Sequence, residues 1–377
     1  MKAKNKYELT SETIEFNGIT LHRIKALKDF SYVKEGDFGG WIEKEENLSQ
    51  IDDAWIGGNA KVFGDAQVYD YAQVFCDAEV YGNAQVYGNA EVYENAIIYG
   101  NAVIFGNANV YGNAEVFGNA QVYGNAQVYE NAEVYGNAKV HGDAQVYDDA
   151  QVCGDAEVYD DAWAFGNAKI YGNAVICGYA QVFGNAEICG DAQVYGYAEV
   201  YGGAQVYGNA EVYDNVGICD NAIVCGNARV FGDAQVYDCA LIYGNAAIYE
   251  NAHICEHVIV RDCARIYGAS KIYGNTIVSD NAKVFENAEV CGNAEVFGNA
   301  QICGNAVVKN NEDYIVFKNF WSSGRYFTWT RSNNIWKVGC FYGTGKELIE
   351  KAYKDSERSG KEYERVVKYV NSILADK

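Results

Sequence analysis

An all-β solenoid is the fold class this sequence predicts. The expected form is a parallel β-helix of about fourteen coils, with a β cap before it and a small α+β domain after it. Three observations carry the prediction. Apolar residues stand at Ile56, Val62, Val68, Val74 and every sixth position through Val308, giving 43 hexads without an insertion and only Ala164 as a weak member. Two places before each stands an alanine, from Ala54 to Ala306, with Val216, Val258, Ser270 and Thr276 as the exceptions. A turn-forming pair, mostly Gly-Asn or Gly-Asp, separates one hexad from the next, and the chain contains no proline to interrupt a backbone ladder. The expected domains are residues 1–50, 51–309 and 310–377.

Residues 1–50 read as the cap that an open β-helix needs over its unpaired edge. "YELT", "TIEFNGITLHRIKAL" and "GDFGGWIEKEENLSQ" are expected to form short strands, with Asn17-Gly18 as a hairpin turn.

A period of six excludes a helix, and no run is long enough for alternating hairpins. Three short strands with a sharp corner after each make one coil of eighteen residues, and coils stack at about 4.8 Å. The rod expected from the 43 hexads is then roughly 70 Å long. Val fills each side, Ala the tight inner position, and Gly and Asn the corner, where both tolerate positive φ. Val116 and Val134 are expected to be buried one above the other, with Tyr111 and Tyr129 stacked outside. Tyr93, Tyr111, Tyr129 and Tyr147 share one face, Tyr81 and Tyr99 a second, and Tyr69, Tyr87 and Tyr123 the third. Such ladders shield and strengthen the sheet, and offer an aromatic surface to a partner or a second copy.

This pattern resembles the hexapeptide-repeat left-handed β-helix, and the resemblance supplies the expected hand. "RIKALKDFSYVKEGDFGGWIEKEENLSQ" and "DDAWIGGNAKVFGDA" are similar to the start of the YdcK-like proteins, over roughly residues 20–308. Those are bacterial and phage-associated hexapeptide-repeat proteins, often labelled acyltransferases. The resemblance implies that label and a bacterium or a phage-infected host, and the scattered cysteines of the chain fit the cytoplasm of either.

From Asn310 the hexads stop. "DYIVFKNF", "GRYFTWTR" and "IWKVGCF" read as three strands, with a turn at Ser332-Asn333-Asn334. Thr344 caps a first helix and Ser359 starts a second, whose apolar face is Val366, Val367, Val370, Ile373 and Leu374. "WSSGR" and "WKVGCFYGT" resemble a small domain of phage and gut-bacterial proteins.

The net charge of −22 is uneven: residues 54–308 carry 31 Asp/Glu against 8 Lys/Arg, whereas residues 309–377 carry 9 against 13. Direct nucleic-acid binding along the rod is excluded by repulsion of phosphates. One charge per 3 Å or so suits a nucleic-acid mimic or anti-defence inhibitor as one alternative function, against one per about 1.7 Å in duplex DNA. No apolar run spans a membrane, and the basic start from Met1 to Tyr7 lacks a signal core. Twelve scattered cysteines point to reduced thiols. Cys153, Cys189 and Cys225, like Cys219, Cys255 and Cys291, stand two coils apart, about 10 Å on the strand spacing. That is too far for a shared metal or disulfide, so no metal site is expected.

Acyl transfer with coenzyme A is the other alternative, and the resemblance carries it. Enzymes of that class use a corner histidine, a loop over the substrate and a neighbouring subunit, and no hexad here has a loop. His141 replaces Tyr in a ladder. His253 and His257 lie in the least regular zone, "HICEHVIVRDCARIYGAS", and are the general-base candidates. Arg229, Arg265 and Lys283 share one ladder, with Arg261 flanking the corner before Arg265, and form a candidate anion site. Arg325, beside Ser322 and Ser323, is another. The favoured function is non-enzymatic: a binding or structural protein showing an acidic, aromatic-laddered rod to a protein partner that is basic or nucleic-acid-binding, with homo-oligomerisation left open and no cofactor. The candidate contacts are Glu79, Glu91, Glu115, Glu133, Glu157, Glu187, Glu199 and Glu211, at outward positions where neutral Gln serves the fold equally well.

Overall fold

The computed structural model describes residues 5–321 and 323–375; residues 1–4 of the basic start, and Ser322, lie outside the described residues, as does the side chain of Leu374. The chain forms two compact units, residues 1–214 and 215–377.

The first unit opens on an antiparallel hairpin of Tyr7–Phe16 and Ile19–Ala26. Asn17 (φ 51°) and Gly18 (φ 78°) make the expected turn. "YELT" and "TIEF" are one ten-residue strand with an irregularity between Leu9 and Thr13, so the two expected strands are fused. The third strand, Phe38–Ile42, pairs antiparallel with the second and then parallel with Lys61–Val62, joining the cap to the first coil. Gly39 and Gly40 permit that approach. A Cβ on either would lie 2.5 Å from a carbonyl oxygen of the coil, Ile56 for one and Ala60 for the other. Lys6 is fully buried and its Nζ donates to the Ala54 carbonyl at 2.8 Å.

Beyond the cap, 27 two-residue strands run from Trp55–Ile56 to Glu211–Val212. Within this unit each pairs in parallel with the strand eighteen residues on: Trp55 with Gln73, Lys61 with Glu79, Gln67 with Gln85. Every inward Val, Ile and Ala of these coils is buried, and Val116 sits in register with Val134. Outside, Tyr111 and Tyr129 stack with centroids 4.9 Å apart and planes 2° from parallel. His141 stacks between Tyr123 and Tyr159, as its place in the ladder predicts.

The corner differs from expectation. Positive φ is confined to the first residue of the pair, as at Gly82 (72°) or Glu94 (60°). The second residue instead builds a column of side-chain hydrogen bonds: Asn83 to Asn101, Asn101 to Asn119 and Asn119 to Asn137, at 2.9–3.0 Å. Asn is there for its amide, which donates to one neighbour and accepts from the other.

The second unit holds 16 further two-residue strands, Gly217–Ile218 to Val307–Val308, with the same register. Ser270 and Thr276 take inward Ala positions, and their buried hydroxyls find no partner among the described residues. An antiparallel sheet of four strands follows: Tyr314–Lys318, Tyr326–Thr330, Ile335–Val338 and Phe341–Gly343. The sequence pattern assigns the fourth strand to the third; a turn at Gly339 (φ 59°) and Cys340 separates them. Thr344 caps the helix Gly345–Asp355 through a reciprocal bond with Glu347. The last helix starts at Glu357 rather than Ser359, because Ser356 accepts the Ser359 amide proton at 3.1 Å. Val367 and Val370 of its apolar face pack with Phe327, Trp329, Trp336 and Leu348.

This domain closes the end of its coils. In regular coils, the first residue of each strand donates its N–H to the carbonyl seventeen residues on, as Glu79 does to Ala96. The last three such donors meet side-chain oxygens instead: Glu295 meets Asn311 Oδ1 at 2.7 Å, Gln301 meets Thr328 Oγ1 at 2.9 Å, and Val307 meets Ser332 Oγ at 2.7 Å.

Candidate functional site

Outward strand positions stack into ladders, so a side chain's neighbours are set by arithmetic on eighteen. In the second unit, one ladder runs Arg229, Ala247, Arg265, Lys283, Gln301. The structure therefore brings Arg265 and Lys283 into register and sets Arg229 two coils from Arg265, with its guanidinium over the Phe231 ring. Arg265, Lys283 and Gln301 line a cleft of about 490 Å³ with Asn281, Asn299 and Tyr326. Tyr326 comes from the antiparallel sheet, so the wall opposite the coils belongs to a different part of the chain.

The histidines stand elsewhere. His253 lies in a different sheet of the solenoid from Arg265, between Gln235 and Lys271. His257 occupies a second-corner position, where its N–H donates to the Gly274 carbonyl. Arg261 pairs with Asp262 at 3.5 Å. The general-base candidates and the register pair Arg265–Lys283 thus occupy separate sides of the coil. Arg325 lines a small cleft of about 50 Å³ in the C-terminal domain, beside Cys340, Lys351, Asp355 and Tyr363. All twelve cysteines are free, and among the described residues no group of three or more His, Cys, Asp or Glu is placed to hold a metal.

The acidic candidates divide among the three faces of the first unit. Glu79, Glu115, Glu133 and Glu187 share one face, Glu91 and Glu199 a second, and Glu157 and Glu211 the third. Glu79 pairs with Lys61 at 3.1 Å and Glu157 with Lys139. Glu115 accepts from Tyr99 Oη at 3.4 Å, and Glu133 from Gln151 Nε2 at 3.4 Å. The remaining 13 of the 21 acids in residues 54–214 stand at corners.

Sequence reasoning missed what those corner acids do. The corner N–H lies outside the coil-to-coil backbone ladder, and a carboxylate in the coil before accepts it. Glu94 accepts from Gly112 N at 2.9 Å and Asp148 from Gly166 N at 3.0 Å. In the second unit, Asp280 accepts from Gly298 N at 2.8 Å. Their signal was positional: Asp or Glu replacing Gly at the first corner position. Where two such acids stack, as Glu130 and Asp148 do, the hydrogen bond and repulsion between them hold the Glu130 carboxyl above its usual range. A cleft of about 500 Å³ beside the cap, lined by Tyr32, Phe38, Trp55, Phe75 and Gln73, has no signature in the sequence pattern.

Fold and geometry together define a parallel β-solenoid of hexad period. Residues 84–100 and 222–238 match the family model described as YdcK Beta solenoid repeat, so the chain carries β-solenoid repeats of the YdcK type. No curated protein matches the sequence. Among the described residues, no helix is long and apolar enough to cross a membrane.

Proposed function

We propose that this chain is a non-enzymatic binding protein whose N-terminal unit offers acidic, aromatic-laddered faces to a basic protein partner in the cytoplasm. The observation that carries the proposal is the placement of charge. Residues 1–214 hold 32 Asp/Glu and 11 Lys/Arg, whereas residues 215–377 hold 19 and 18. Corner carboxylates have an architectural reason to exist, because they cap N–H groups. Glu91, Glu115, Glu133 and Glu199 stand where Gln fills the same position in other coils, as at Gln85 and Gln121, so the fold does not require their charge, whereas Glu79, Glu157 and Glu187 each lie in register with a lysine. Partly exposed rings beside them supply apolar contact. Twelve free thiols suit a reducing compartment.

Poly-L-lysine of defined length is a suitable probe. Changing the eight strand glutamates to Gln should leave the melting temperature within a few degrees, weaken binding, and flatten its dependence on salt. A control variant neutralises eight corner acids instead, removing the same charge. Equal loss of affinity in both variants would reduce the effect to net charge and refute recognition through the strand glutamates.

A further inference from the structure

Lysines on the outward ladders follow a rule with one exception. Lys61, Lys139, Lys169 and Lys271 each have a glutamate one coil on, at Glu79, Glu157, Glu187 and Glu289. Lys283 has Gln301 on that side and Arg265 on the other. Two cations in register, about 4.8 Å apart, repel each other and weaken the sheet. Among the described residues, neither forms an ion pair with a carboxylate. The nearby corner acids are already engaged: Asp262 with Arg261 and the Asp280 N–H, Asp280 with the Gly298 N–H.

The repulsion is aimed into the cleft that Tyr326 closes. More positive charge gathers around it, since Lys318 lies over the Tyr326 ring at 5.8 Å and Lys337 over Phe285 at 5.5 Å. Asn281, Asn299 and Gln301 add amide groups, and Tyr326 a phenol. Two adjacent cations with neutral donors around them match a compact dianion, each charge taking one side of it.

We propose that this cleft binds a small phosphate-bearing ligand, its dianionic phosphate bridging Arg265 and Lys283 and accepting from the surrounding amides. The bound anion removes the repulsion that the unliganded ladder carries, so binding and folding stability are linked. Every residue involved lies in residues 215–377, and the outcome is independent of the acidic faces of the other unit.

Inorganic phosphate is the probe, with chloride at matched ionic strength as the reference. Calorimetry and thermal melting should show one saturable site and a rise in melting temperature specific to phosphate. Lys283→Glu restores the cation–carboxylate alternation. It should raise the melting temperature in phosphate-free buffer and weaken phosphate binding at least about tenfold. Arg265→Gln should weaken it similarly, whereas Lys169→Gln should change nothing. The proposal is overturned if the wild-type chain shows no phosphate-specific stabilisation, or if Lys283→Glu binds phosphate as the wild type does.

Discussion

Val116 shows how much one residue decides. It is fully buried beneath Val134, in a core of aliphatic side chains and alanine. Val116→Asp places a charge where nothing can pair with it and should cost at least about 4 kcal/mol, measured by chemical denaturation. An equally stable variant would mean the register is wrong. Tyrosines give the pH dependence. Burial, then the neighbouring Tyr111, pushes Tyr93 up to about 12, and burial with Glu115 does the same for Tyr99. A folded pKa above the unfolded value near 10 gives stability that is whole below pH 10 and lost as pH climbs through 12. Lys6 has the opposite sign: burial lowers it to about 8, so its contribution rises between pH 8 and the unfolded value near 10.5. Melting should therefore hold or improve from pH 8 to 10 and fall steeply above it. Ladder tyrosinates that form with a midpoint at 10 would contradict the stacked, half-buried rings. Inward residues were legible in the sequence because a dry interior tolerates so few side chains. The division of labour at the corner was not, because Gly and Asn both tolerate positive φ and only the hydrogen-bond geometry separates them.

Among the elements, the closing sheet is the most instructive. Its existence was legible from alternating apolar residues, but Phe341–Gly343 was not: a three-residue strand after a two-residue turn has almost no period to read. Nor could spacing place Tyr326 against Gln301, since docking rather than periodicity joins them. The same docking makes a prediction. Thr328→Val with Ser332→Ala removes the acceptors for the Gln301 and Val307 amides, and should cost about 2 kcal/mol in all. Hydrogen exchange should quicken first at those two amides. Uniform exchange across residues 290–308 would instead mean that the sheet holds the last coil by apolar contact alone.

For the molecule as a whole, the division of charge was legible in the residue types alone, because charges add along a chain whatever its fold. The cation pair was half legible: adding eighteen to 265 finds Lys283, but only the cleft shows what the two face. The glutamates lie on three faces rather than one for the same arithmetic reason. Their positions differ by multiples of six, and only multiples of eighteen return to the same side.

That arithmetic has a consequence for inheritance. Because Glu79 meets Ile97, and Ile97 meets Glu115, through identical backbone bonds, a gene that loses or duplicates eighteen codons within residues 79–132 leaves every backbone N–H with a carbonyl of the same kind and every inward residue over another, and changes only the outward pairs. Four or five codons lost at the same place would break one hexad and leave its coil short of an inward residue or a corner. Length in this chain is thus a trait that can change in whole coils, the backbone ladder closing again after each step.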